Sequence, residues 1–96
     1  MVRFTLCLTL LATPLAAQDS TQLCKVSAEI AGAAVAERSS GHKPEVAVKT
    51  ISDDLSADKA AYEGAVQPIV EWVYTLPSDQ LTAEVAVAYE TACLAQ

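Results

Sequence analysis

Apolar residues recur every three or four positions through most of the chain beyond residue 20, which is the spacing of one face of an α-helix. The first of these stretches predicts a helix over residues 22–39, begun by Ser20 or Thr21 and stopped by Gly41. Its buried side is expected to carry Leu23, Ser27, Ile30, Ala31, Ala34 and Val35, and its water-facing side Glu29, Glu37 and Arg38.

Two shorter helices are predicted from the signals at their starts. Proline is favoured at the first position of a helix, so Pro44 is expected to begin a helix over residues 44–52. Near the end of the chain, Thr82 can cap a helix over residues 83–94. The expected apolar members are Val46, Ala47 and Ile51 in the first helix, and Val85, Tyr89, Ala92 and Cys93 in the second.

A proline interrupts the remaining predicted helix, which covers residues 57–76 and has Ser56 as its cap. Because Pro68 lacks a backbone N–H and its ring clashes with the preceding turn, we expect a kink there, or a break within residues 64–67. The apolar stripe continues across the proline, which favours a kink. The chain is therefore predicted to be all-α, a small bundle of about four helices with one short and one kinked at Pro68.

The first 17 residues have the features of a secretory signal peptide. Arg3 supplies a positive charge, residues 4–11 form an apolar run, and Leu15, Ala16 and Ala17 provide a cleavage site. The apolar run is eight residues long, whereas roughly 20 are needed to span a bilayer, so a membrane anchor is the less favoured interpretation. We expect a mature chain without a membrane span that begins at Gln18 and is periplasmic or secreted.

Removal of this signal changes both length and charge. It leaves 79 of the 96 residues, enough for a single helical domain over residues 18–96, near the size at which one hydrophobic core is marginally stable. Arg3 leaves with the signal, so 5 basic residues remain beside 12 acidic ones and the net charge becomes −7. Such a surface repels phosphate backbones, so nucleic acid is not expected as a partner.

Cleavage also removes Cys7 and leaves Cys24 and Cys93 near the two ends of the mature domain. In an oxidising exported compartment, two cysteines in a small domain most often form a structural disulfide; free thiols, metal ligation and intermolecular pairing are the alternatives. The bond would close a loop of roughly 70 residues and stabilise the domain by about 4 kcal/mol in the chain-entropy model. It would join the first helix to the last.

No pattern predicts a catalytic residue, a metal site or a cofactor. Asp54, Ser56 and Asp58 alternate like the ligands of a calcium loop, but Lys59 stands where that loop needs glycine and Ala65 where it needs glutamate. One histidine and two cysteines are too few for a transition-metal site, and no nucleophile turn of a serine hydrolase occurs. An enzyme is therefore not expected.

Trp72 and Tyr74 are the aromatic residues that the apolar stripe of the proline-containing helix does not account for. Packing against the first or last helix is the favoured interpretation, because a domain this small has few other aromatic residues to bury. If they are instead exposed, they mark a partner surface, since tryptophan and tyrosine often dominate the energy of protein interfaces.

The general plan, a signal followed by a small acidic helical domain with one terminal disulfide, resembles that of periplasmic acid-stress chaperones and of immunity proteins against secreted toxins. This resemblance is architectural, so no functional residue carries over. The sequence favours a small exported non-enzymatic interaction protein with an inhibitor, immunity or chaperone-like role and a protein partner. The alternative is a carrier that holds a small apolar ligand between helices near Pro68.

Overall fold

A computed structural model describes the backbone of residues 12–96 and the side chains of residues 20–96. Over residues 12–96 the fold is all-α, with four α-helices and no strand, as predicted. Most of the predicted signal segment lies outside the described residues. The helices are α1 (Ala12–Ser39), α2 (Pro44–Asp54), α3 (Val66–Tyr74) and α4 (Glu84–Leu94), with 3₁₀ helices at Ala57–Ala65 and Ser78–Gln80.

Helix α1 ends where the sequence predicted but begins earlier. Gly41 adopts a φ of +87°, the left-handed conformation that terminates helices and that glycine enters without steric cost. The predicted start at Ser20 or Thr21 is wrong, because the helix already begins at Ala12. Among the described residues of this helix, no glycine occurs before Gly32.

The hydrophobic core lies along α1. Ile30, Ala31, Ala34 and Val35 are buried as predicted, and α2 contributes Ala47 and Ile51. Three residues predicted on the apolar side of their helices, Leu23, Val46 and Ala92, are exposed instead. At the first two, the neighbouring Cys24 and Ala47 take the inward positions. The remaining members of the core are Val26, Val66, Ile69, Val70, Val73 and Val85.

The predicted third helix is divided into two elements of different type. The chain forms a 3₁₀ helix over Ala57–Ala65 and changes to α3 at Val66, within the interval where a break was expected. Pro68 is the third residue of α3, in the first turn, where backbone N–H groups have no partner within the helix. The change of helix type thus falls two residues before the proline. Ser56 precedes the 3₁₀ helix, but its hydroxyl bonds the Asp58 carboxylate and makes no capping bond.

Helix α4 packs mainly on α1, whereas α2 packs on both α1 and α3. Gly32 of α1 faces Ala86 of α4: a Cβ added to the glycine would lie 3.4 Å from the Cβ of Ala86, at the near limit of ordinary van der Waals contact. The predicted disulfide is present: Cys24 and Cys93 are bonded, with 5.6 Å between their Cα atoms, and link the first helix to the last. Thr82 Oγ1 accepts the N–H of Glu84, the first residue of α4.

Candidate functional site

Trp72, a residue of α3, lies at the surface beside α4. Its residue is 40% exposed, and its ring stands 5.6 Å from the ring of Tyr89, at an interplanar angle of 56°. The opposite side of α3 is buried through Ile69, Val70 and Val73. A tilted aromatic pair of this kind is stabilising beyond its buried area, and it holds the indole in place while leaving one side of it open to solvent.

Tyr74 has a different environment, although only one residue separates it from Trp72. Its ring packs against the hydrophobic core, and its hydroxyl donates a hydrogen bond of 2.6 Å to the carbonyl oxygen of His42. Burial raises the pKa of the Tyr74 hydroxyl, and the negative charge of Glu37 raises it further. Tyr74 therefore holds the connection between α1 and α2, and the proposed pair of aromatic contact residues separates into one exposed and one structural residue.

Arg38 does not face water as predicted but caps α3. Its Nη1 donates to the carbonyl oxygens of Val73 at 3.0 Å and Leu76 at 2.5 Å, and its guanidinium lies 5.8 Å from the centre of the Tyr74 ring. The last carbonyls of a helix lack partners within it, and a cation there also complements the helix dipole. The sequence pattern missed this role because the capped helix is 35 residues away along the chain.

Helix α4 exposes apolar residues over most of its outer side. Val85 is the only residue of α4 that is fully buried, while Val87 is 64% and Leu94 50% exposed. Of the six exposed residues of α4, only Glu84 is charged. We call the uncharged surface of this helix together with the adjacent tryptophan the α4 face; its members are Trp72, Val87, Ala88, Thr91, Ala92 and Leu94.

A second candidate site is a cleft on the opposite side of α1, with a volume of about 200 Å³. Helix α1, helix α2 and the start of the Ala57–Ala65 helix form its walls. The buried side chains of Val26, Ile30 and Ile51 form an apolar floor. We call it the acidic cleft because its charged members are three carboxylates and one amine, those of Glu29, Glu37, Asp54 and Lys59.

Two of the three carboxylates in the acidic cleft have charged or polar partners. Lys59 Nζ lies 2.8 Å from Glu29 Oε1, and this hydrogen bond is the main reason why the pKa of Lys59 is raised. Glu37 Oε1 lies 2.7 Å from His42 Nδ1. Asp54 has no ion-pair partner among residues 20–96, whereas its neighbour Asp53 pairs with Lys49 at 2.9 Å. The cleft is therefore net negative at the Asp54 end.

A groove also lies next to Pro68, where the alternative carrier function was expected to hold its ligand. It lies between α2 and the start of α3, has a volume of about 320 Å³, and contains Glu45, Gln67 and Glu71 beside Val48 and Pro44. The acidic cleft differs from this groove in that its lining includes buried core residues.

The described side chains bring together no set of metal ligands: no group of three His, Cys, Asp or Glu residues over 20–96 could hold an ion. Over residues 12–96, no helix combines the length and hydropathy needed to cross a membrane. The ring of His42 bonds Glu37 and neither of the nearby serines, Ser39 and Ser40.

Comparisons with protein-family models, curated proteins and solved structures find no match to this chain. The α4 face and the acidic cleft are accordingly interpreted from their own geometry and chemistry.

Proposed function

We propose that this chain is a small exported, non-enzymatic interaction protein that binds a protein partner through the α4 face. The observation that carries the proposal is that α4 has only two charged residues, Glu84 and Glu90, and no separate polar side, and yet buries only Val85. A helix without a polar side is typically covered on all sides. Here α1 covers one side, and the partner is the natural cover for the other.

The composition of the α4 face suits a protein interface. Trp72 stands in a fixed orientation against Tyr89, and tryptophan is among the residues that most often dominate interface energies. Val87 is 64% and Leu94 50% exposed, so burial of the exposed part by a partner would contribute roughly 1–2 kcal/mol for each side chain before the costs of association. Since the mature chain has an expected charge of −7, the partner surface should be apolar with basic residues around it.

Partner capture from the extracellular or periplasmic fraction of the host tests this proposal. The wild type is compared with Trp72→Ala, with the double variant Val87→Ser/Leu94→Ser, and with Val46→Ser as the matched control. Val46 is also a large apolar residue, 46% exposed, but lies on α2. We expect one protein to be retained by the wild type and by Val46→Ser and lost from the two α4-face variants. Equal recovery by all four proteins, or recovery by none, would contradict the proposal.

Export is part of the same proposal and is tested separately. The Cys24–Cys93 bond is consistent with an oxidising compartment. Mass spectrometry of the protein from fractionated host cells should give the mass of residues 18–96 with two hydrogens fewer than the reduced chain. A full-length cytoplasmic protein would exclude export.

A carrier of a small apolar ligand is the second candidate function, and the acidic cleft is the observation that favours it. Native mass spectrometry of protein purified from its host distinguishes the two functions. A carrier should retain additional mass of small-molecule size, whereas a protein-binding module should not.

A further inference from the structure

The acidic cleft has a feature that the packing of the bundle leaves unexplained. Helix α2 ends in Asp53 and Asp54 and has no basic residue in its last turn. Carboxylates at a helix C-terminus are unfavourable because they lie beside the negative end of the helix dipole. Lys49 offsets Asp53, but no cation of residues 20–96 forms an ion pair with Asp54.

The cleft beside Asp54 combines this uncompensated charge with an apolar floor. Ile30 and Ile51 are buried beneath it, and Leu55 packs at its edge. Its volume of about 200 Å³ is somewhat above the roughly 150 Å³ of an engineered protein cavity that binds benzene. One aromatic ring with a short chain matches this size.

One wall of the cleft is weakly held, which provides a route of entry. None of the residues of the Ala57–Ala65 helix is buried, and the ion pair between Lys59 and Glu29 ties it to α1. Segments with few buried contacts open at low free-energy cost. A ligand can therefore enter by displacement of the start of this helix, around Lys59, while Tyr62 and Ala65 stay packed on the core.

We propose that the acidic cleft binds an organic ammonium ion with an aromatic body, the ring lying on the floor and the ammonium group beside Asp54. The ammonium offsets both the carboxylate and the C-terminal end of α2, while the ring covers apolar surface. This inference rests on the carrier function but replaces its apolar ligand with one that also bears a positive charge. It does not depend on the α4 face, so partner capture and ligand binding fail or succeed separately.

NMR titration of the mature oxidised protein tests this inference with two probes of the same ring and opposite charge, 2-phenylethylammonium and phenylacetate. We expect the ammonium to shift the methyl signals of Ile30 and Ile51, and phenylacetate to bind at least about tenfold more weakly. Equal binding of the two probes, or no shift with either at millimolar concentration, would overturn the proposal. Shifts confined to α4 would overturn it too.

Adjacent aspartates provide the matched control variants. Asp54→Asn should weaken binding of 2-phenylethylammonium about two- to fivefold, the range for an exposed charge pair. Asp53→Asn removes the same charge one residue away from a carboxylate already paired with Lys49, and should leave the affinity nearly unchanged. Equal weakening by both substitutions would show a general effect of charge and would contradict a site at Asp54. Both residues are exposed, so both variants should fold, which circular dichroism verifies.

Discussion

Helices α2 and α4 have the same length, 11 residues, but opposite relationships to solvent. Of the six exposed residues of α2, four are charged, and Ala47 and Ile51 are buried beneath them. Of the six exposed residues of α4, one is charged. Helix α2 is thus amphipathic, and its own sequence pattern predicts which side is buried. Helix α4 has no such pattern, so contacts with other parts of the molecule determine its orientation.

The constraints on α4 are covalent and steric. The disulfide fixes its last turn to α1, and Ala86 packs against Gly32 of α1. Helix α2, in contrast, lies against α1 and α3 together. Tyr74 holds the chain just before α2 through the carbonyl of His42, and Arg38 holds the end of the neighbouring helix α3. If the disulfide holds α4 and core packing holds α2, loss of the disulfide should mainly lower the local stability of α4. Substitutions in the core should mainly lower that of α2.

The largest effect is expected for Cys24→Ser/Cys93→Ser. The bond joins residues 69 positions apart, and its loss should lower the free energy of unfolding by about 4 kcal/mol in the chain-entropy model. Urea unfolding followed by the fluorescence of Trp72, the only tryptophan, measures this loss. Hydrogen exchange should show amides of α4 losing protection before those of α2. Simultaneous loss of protection in both helices would contradict the proposal that the disulfide holds α4 and not α2.

A smaller effect is expected from Ile51→Ala, with Leu94→Ala as its counterpart on α4. Ile51 is 5% exposed in the core, so its truncation should cost about 2–4 kcal/mol. Leu94 is half exposed, and its truncation should change stability by no more than about 0.5 kcal/mol. Denaturant midpoints of the two variants test the contrast. A loss at Leu94 as large as that at Ile51 would mean that the outer side of α4 is already covered in the free protein.

Arg38→Ala should cost about 1.5–3 kcal/mol, because it removes charge-assisted hydrogen bonds to the end of α3. Lys25→Ala, at an exposed position of α1, the helix that also carries Arg38, provides a control whose free energy of unfolding should change by less than about 0.5 kcal/mol. The substitution at Arg38 should leave α4 protected from hydrogen exchange. Equal stability of the two variants would exclude the capping role.

The smallest effect is expected for Tyr74→Phe, at about 1 kcal/mol near neutral pH for the lost hydrogen bond to His42. The pKa of Tyr74 is raised by burial above its ordinary value of 10.0, so the folded state holds this proton more tightly than the unfolded state. The contribution of Tyr74 is present below pH 10 and is lost as pH rises through the raised pKa. Unfolding between pH 9 and 11.5 should therefore show a shallower alkaline loss in Tyr74→Phe than in the wild type. Parallel curves would refute this contribution.

Local signals predicted the start of α2 at Pro44 and the end of α1 at Gly41 because a proline or a glycine acts on its own turn. The predicted cap at Ser20 failed since a cap matters only where a helix begins, and nothing interrupts α1 before it. The α4 face had a sequence signal, the scarcity of charge between Glu84 and Glu90, but only the packing of α4 on α1 shows which side stays open. The acidic cleft had no sequence signal, since its walls come from three separate elements of the fold.

By itself, the sequence determined the helical class, because a repeat of three and four residues can bury one side of a helix and no side of a strand. It also determined the disulfide, because only one pair of cysteines lies in the predicted mature chain. The tertiary structure decided which aromatic residue is exposed, where Arg38 places its charge and which side of α4 faces solvent. These features depend on contacts between residues tens of positions apart, and the periodicity of a single helix carries no information about its neighbours.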